Sequence, residues 1–251
     1  MIMEQNDFLK RISDLAQRCE RNGYVTSSLF LTPAETYLLE ITKLDLGDTS
    51  LLLCGGTEGC ERRVAFFLPY YQDAENFDVS DTIKAIRIKA FFGSPGHRDY
   101  LGAILGLGIE RDRIGDILLF DDYAYVLCLS TVASAITQNL DKVGRTSVKA
   151  EMIALSDVPV PERRVKNISF TVKSLRLDAV TGDMFGISRT TAAELIRIGA
   201  VSLNYSVCEK PDAPIREGDI LSVRGKGKGR ISEIGGRSKK DRLFVNAEIY
   251  L

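Results

Sequence analysis

The sequence predicts an α+β protein built from three small domains, and three observations carry that expectation. At about 150 residues per domain, 251 residues allow one to three units. The middle of the chain reads strand, helix, strand, strand, helix, strand. The last third reads as two short helices followed by short strands, and it alone is basic. The expected domains are residues 1–76 (N-terminal α+β), 77–168 (ferredoxin-like) and 169–251 (helix pair with strands).

In the first unit, Phe8, Ile12, Leu15 and Ala16 recur at helical spacing. A second helix starts at Pro33, with Thr32 as N-cap and Glu35 in its first turn. Thr49–Cys54 and Arg63–Leu68 then read as strands around GGTEGCE. The glycines at 55, 56 and 59 lack the strand–loop–helix context and following Lys-Ser/Thr of a phosphate loop, so a hairpin is expected.

The second unit has strands at Ile83–Phe92, Ile117–Phe120, Tyr123–Leu129 and Ser147–Leu155, and helices at His97–Leu107 and Thr131–Leu140. This βαββαβ order is the ferredoxin-like arrangement of RNA-recognition (RRM-like) domains. DDYAYVLC partly matches their RNA-binding strand, with Tyr123 and Tyr125 at the aromatic positions. Asp121 and Asp122 replace the leading basic residue and glycine, and ordinary strand packing is the simpler expectation. PVPERRVKN, 159–167, reads as an exposed basic connector, first of all a solvated linker, with Arg163 and Arg164 as auxiliary phosphate contacts in the alternative reading.

Composition bounds the chemistry. Hydrophobic residues at 45% and charged residues at 27% describe an ordinary globular chain. Five cysteines without a CxxC, and one histidine, argue against a disulfide framework, a metal site or a cofactor. No apolar run approaches the roughly 20 residues of a membrane span, and no signal core opens the chain, so a cytoplasmic protein without membrane contact is expected. Residues 170–251 hold 14 Lys/Arg against 10 Asp/Glu, whereas residues 1–169 hold 19 against 24. That asymmetry points to a polyanionic partner for the last third.

There, Leu177, Val180, Met184 and Phe185 mark one helix face, ended by Gly186. Ser188 caps a second helix that Gly199 ends, with Ala192, Leu195 and Ile196 as its buried stripe. At ~100 degrees per residue, Arg189 and Arg197 stand about 80 degrees apart on its exposed side. Arg176, Arg189, Arg197, Lys210, Arg224, Lys226, Lys228 and Arg230 then line one basic face, with slim glycines at 225, 227 and 229 beside phosphate. With little aromatic area, such a face suits folded RNA read by shape.

RLD, SR opening a helix, LIRIGAVSLN, KP and GD before a strand resemble, in that order, the ribosomal-protein-S4-type RNA-binding domain. The resemblance implies an RNA-facing set of Arg176, Ser188, Arg189, Thr190, Arg197, Asn204 and Lys210. Tyr205 departs from it, since a glycine generally follows the asparagine there. FLTPAE, GGTEGCERR, GHRDYLGAILGLGIERDRIGDI and GGRSKKDR extend the resemblance to the YlmH family, also known as photosystem II S4-domain proteins in photosynthetic lineages. It implies a ribosome-associated quality-control factor, monomeric and without cofactor, in the cytoplasm or in the stroma of a plastid. It further implies binding to ribosomal RNA and tRNA on large ribosomal subunits that carry peptidyl-tRNA, with Lys239 and Lys240 as further auxiliary contacts. An assembly factor for the large subunit would present the same face.

RLDAVTGD also resembles the motif of pseudouridine synthases, which would make Asp178 catalytic. Only 73 residues follow it, too few for the large catalytic domain of those enzymes, so Asp178 is expected to hold Arg176 or to cap a helix and no catalytic residue is expected. His97, beside Arg98 and Asp99 at a helix start, is expected in a structural cap, with His97 and Arg98 as auxiliary RNA contacts.

Overall fold

Helix α1 (Ile2–Asn22) turns Phe8, Ile12, Ala16 and Cys19 inward, and is followed by β1 (Thr26–Leu31). The computed structural model describes residues 2–160 and 164–250. Helix α2 (Pro33–Ile41) opens with a capping box: Thr32 Oγ1 accepts from Glu35 N–H, and Glu35 accepts from Thr32 N–H at 2.7 Å. Strands β2 (Ser50–Cys54) and β3 (Arg63–Leu68) form the expected antiparallel hairpin, and β1 adds to its far side in the order β1-β3-β2. β3 reads as an unbroken apolar run because both of its faces are covered. Ala65 and Phe67 pack under α1, while Val64, Phe66 and Leu68 face the next sheet.

That sheet comprises β4 (Ile83–Ala90), β5 (Ile114–Leu119), β6 (Tyr123–Leu129), β7 (Lys142–Val143) and β8 (Thr146–Ile153). Its order, β5-β6-β4-β8-β7, with α3 (His97–Leu105) and α4 (Ser130–Asn139) as crossovers, is the ferredoxin-like arrangement extended by one short strand. Ile86 and Ile88 of β4 pack on Tyr100, Ile104, Val132 and Ile136 of the helices. The opposite face shares a core with the N-terminal sheet, where Ile83, Ala85, Leu127 and Leu129 meet Phe30, Val64 and Phe66. Arg62, 8% exposed, fastens the two sheets by donating to Ile114 O and Phe30 O, both at 3.0 Å. Asp116 accepts from the backbone N–H groups of Glu61 and Arg62 beside it.

Residues 1–161 therefore form one unit, and residues 162–251 form a second. The second contains β9 (Val165–Val172), α5 (Leu177–Phe185), α6 (Arg189–Arg197), β10 (Val201–Leu203), β11 (Ser206–Val207), β12 (Ile220–Val223), β13 (Gly227–Arg237) and β14 (Leu243–Tyr250). Its sheet order is β11-β10-β12-β13-β14-β9. β9 pairs with β14 along its whole length, so residues 165–168, read from sequence as the end of the middle domain, are the first half of a strand of this sheet. Among the described residues, no helix is long and apolar enough to cross a membrane, and no cluster of metal-ligating side chains occurs.

Candidate nucleic-acid interface

Helix α5 buries Leu177, Val180 and Met184 and ends where Gly186 takes a left-handed φ of 64°, a conformation that costs glycine little. One turn after Asp178, at the spacing that places two residues on one helix face, stands Gly182. A Cβ there would lie 3.1 Å from Ile187 O and 3.5 Å from Arg189 N, so the glycine lets the start of α6 cross close over α5. Ser188 caps α6 by accepting from Thr191 N–H at 3.0 Å.

That crossing brings Arg176, Asp178 and Arg189 together. Arg176 Nε and Nη2 donate to Asp178 Oδ1 and Oδ2 at 3.2 and 3.1 Å, and Arg189 Nη2 donates to Oδ2 at 3.1 Å. The carboxylate side chain is 7% exposed, whereas the guanidinium side chains are 40% and 58% exposed. Burial alone would raise the acid's pKa, but bonds to Arg176 and Arg189 and their charges outweigh it and hold the carboxyl below its ordinary value. The bond to Asp178 in turn raises the pKa of Arg176. The result is a sunken anion that orients two exposed cations at a helix N-terminus, a place that favours an anionic ligand. Planar guanidinium forks suit phosphate oxygens. Lys210 is exposed on the adjoining loop, where Pro211 O accepts from Asp178 N–H and Ala213 O accepts from Leu177 N–H, both at 2.9 Å.

The remaining basic residues do not share one face. Arg197 is exposed in the last turn of α6, and Arg224 lies at that same end, its N–H donating to Ala200 O at 2.9 Å. Lys226 is in the turn that follows. The GKGKGR segment is a loop only as far as Lys226, because Gly227–Arg230 already pair with β12 and β14. Gly229 points inward: a Cβ there would stand 2.4 Å from both Glu248 O and Met184 Cε, so its smallness serves strand and helix packing. By strand alternation Lys228 and Arg230 project from the opposite side of the sheet. Lys228 Nζ sits 4.7 Å from the Tyr205 ring centroid and 5.8 Å from that of Tyr250.

Among the family-implied positions, Ser188 and Thr190 are exposed at the α6 start, Ser188 as its cap. The Asn204 side chain is engaged within the fold, donating to Asp219 Oδ1 and accepting from Ile220 N–H, both at 2.8 Å. Asn204 and Tyr205 both have positive φ, 49° and 67°, which explains the glycine usual at the second position. His97 and Arg98 are exposed at the start of α3, where Asp99 accepts from Gly96 N–H at 2.8 Å, the expected cap. Arg164, Lys239 and Lys240 are exposed, and Arg163 lies outside the described residues. Tyr125 is 8% exposed and packs edge-on against Phe120, so it cannot present a ring to a base. The buried Arg62 was not read from the sequence, since GGTEGCERR gives no sign of which arginine turns inward.

A family model described as "Putative RNA-binding domain in YlmH" matches residues 73–157. Over 219 residues the chain is 34% identical to "Ribosome-associated protein quality control protein P2" of Bacillus subtilis (strain 168), covering 87% of this chain and 85% of that one. The chain belongs to the YlmH family. The solved structure of "Cell division protein ylmH from Streptococcus pneumoniae" shares the YlmH fold, with a TM-score of 0.52 at 23% identity over 61% of this chain and 93% of that one. The YlmH model covers the ferredoxin-like sheet and both of its helices, while the Arg176–Asp178–Arg189 cluster lies beyond it, in the second unit.

Proposed function

We propose that this chain is a non-enzymatic RNA-binding factor of ribosome-associated quality control. It acts in the cytoplasm, on large ribosomal subunits that carry peptidyl-tRNA, and its C-terminal unit grips ribosomal RNA and tRNA. The observation that carries this reading is the pair of exposed guanidinium groups of Arg176 and Arg189 held on the buried Asp178. Arg197 and Arg224 at the far end of α6, ~12 Å away at 1.5 Å per residue, would engage a second stretch of backbone. The relative named for ribosome-associated protein quality control and the RNA-binding family model support the assignment. The same cluster speaks against the pseudouridine-synthase-like reading, because both oxygens of Asp178 are engaged by arginines and the residue has the environment of a scaffold.

The test combines retention and chemistry. Purified protein is incubated with ribosomal RNA and tRNA, bound RNA is recovered, and its nucleosides are resolved by mass spectrometry. Binding without any new nucleoside is the expected outcome. A modified nucleoside that forms with the wild type and not with Asp178→Asn would overturn it.

A further inference from the structure

The ferredoxin-like sheet is covered by the N-terminal sheet only part-way along β4. Ala85 of β4 and Leu127 of β6 lie in the shared core. Further along the same face, alternation places Arg87 and Lys89 on β4, with Lys149 and Glu151 opposite them on β8 and Tyr123 opposite Lys89 on β6. Past the last strand residue the ladder continues one step, since Phe91 N–H donates to Ser147 O at 3.1 Å. That register puts Phe91 on the face of Lys89, and Phe91 is 59% exposed. Phe92 beside it is 61% exposed, a large apolar cost for a chain that leaves these rings in water.

The charges on this face of the sheet are those of Arg87, Lys89, Lys149 and Glu151. Glu151 is taken by Arg87, with bonds of 2.9 and 2.6 Å. Arg87 also lies over the Tyr123 ring at 5.0 Å, and Lys89 Nζ approaches it to 5.7 Å. Lys89 and Lys149 are both exposed. Asp121 and Asp122, both exposed in the β5–β6 turn directly before Tyr123, put negative charge beside the strip that Lys89 and Lys149 must outweigh. Diagonal cross-strand neighbours such as Phe91 and Tyr123 stand roughly 7–8 Å apart, within reach of two adjacent nucleotides of an extended strand.

The exposed Phe91 ring flanked by lysines, with the half-buried Tyr123 beside it, matches the way proteins hold unpaired nucleotides, with bases stacked on rings and phosphates on cations. A duplex, whose base faces are already stacked, has no use for such rings. We propose that the strip formed by Phe91, Tyr123, Lys89 and Lys149 binds one or two unpaired RNA nucleotides, separately from the arginine cluster of the second unit. This rests on the RNA-binding reading and names a different ligand class for a different unit.

The chain has no tryptophan, so Phe91→Trp introduces a single indole at an exposed position. The probes are a fluorescein-labelled single-stranded RNA decamer of mixed sequence and a self-complementary duplex of equal length, titrated into the full chain. The single strand is expected to quench the indole saturably and the duplex to leave it unchanged. Quenching should persist in an Arg189→Ala/Arg197→Ala background and be lost with Lys89→Ala/Lys149→Ala. In the otherwise native chain, Phe91→Ala should weaken single-strand binding, followed by anisotropy, roughly fivefold or more, the low end for one base–aromatic stack. Single-strand binding by anisotropy with an unmoved indole and no effect of Phe91→Ala would overturn the strip and leave the arginine-cluster reading standing. Quenching that disappears with the two α6 substitutions would overturn it as well. Quenching retained while those substitutions have no effect on binding of structured RNA would uphold the strip and contradict the arginine-cluster reading.

Discussion

Asp178 and Arg189 are eleven residues apart in sequence, on two different helices, and meet at 3.1 Å with the acid buried and the base in solvent. The acid serves both as a tether between α5 and α6 and as the fixed point from which Arg176 and Arg189 are aimed. Asp178→Asn keeps the shape and removes the charge. Bonds to charged groups contribute about 1.5–3 kcal/mol each, but both arginines are substantially exposed and solvent screening cuts this. A loss of about 1–2 kcal/mol is expected, measured by urea unfolding.

The same substitution has a pH signature. The folded carboxyl titrates below its ordinary value, so its contribution is complete above the unfolded value of about 3.9 and disappears as pH falls through the lower folded one. The stability gap between wild type and Asp178→Asn should be flat from pH 7 to about 5 and close below about pH 4. A gap that widened on acidification would contradict the tether.

Phosphate contacts predict a salt response. Four to six contacts give a slope of log affinity against log salt of roughly −3 to −4, at about −0.7 per contact. Arg189→Ala should flatten the slope by about 0.7, and Arg189→Ala/Arg197→Ala by about 1.4. A salt-independent affinity, or an unchanged slope in the variants, would show that these arginines do not touch phosphate.

Gly229 and Gly236 lie in the same strand with opposite surroundings. A methyl group at Gly229 collides with Glu248 O and Met184 Cε at 2.4 Å, whereas Gly236 has nothing within 4 Å. Gly229→Ala should cost about 1–3 kcal/mol, the usual range for overpacking, and Gly236→Ala almost nothing. Thermal melting of the two variants separates an architectural glycine from one serving an RNA backbone.

Arg62 makes a separate prediction for the first unit. Its guanidinium reaches two carbonyls on different sheets, and its burial lowers its pKa. A lysine lacks the planar fork, so Arg62→Lys should cost about 2–4 kcal/mol through lost and unsatisfied bonds. The first unit should unfold earlier while the affinity of the second for RNA is retained.

Much of this was legible where local rules act. The Thr32–Glu35 box, the Ser188 cap and the Gly186 and Gly199 stops follow from backbone groups that need partners at helix ends, and each appears as expected. Strand β1 was not legible, because a bulge between Ser27 and Phe30 breaks the alternation that marks a strand. β13 was misread at its start because its first inward position is Gly229, kept small by Met184 and Glu248, so no apolar signal alternates with the lysines there. The arginine cluster was half legible. RLD puts Arg176 beside Asp178, but the approach of Arg189 depends on the helix crossing at Gly182, a tertiary event. The division of the basic residues among α6, its end and the far side of the sheet likewise depends on register.

The central claim is that the α5–α6 arginines place this chain on the large ribosomal subunit. Sucrose-gradient co-sedimentation with separated subunits tests it most directly, comparing wild type with Arg189→Ala/Arg197→Ala. Wild type should travel with the large subunit and the variant, folded by circular dichroism, should stay at the top. Wild type at the top of the gradient, or a variant that sediments as well as wild type, would contradict the account.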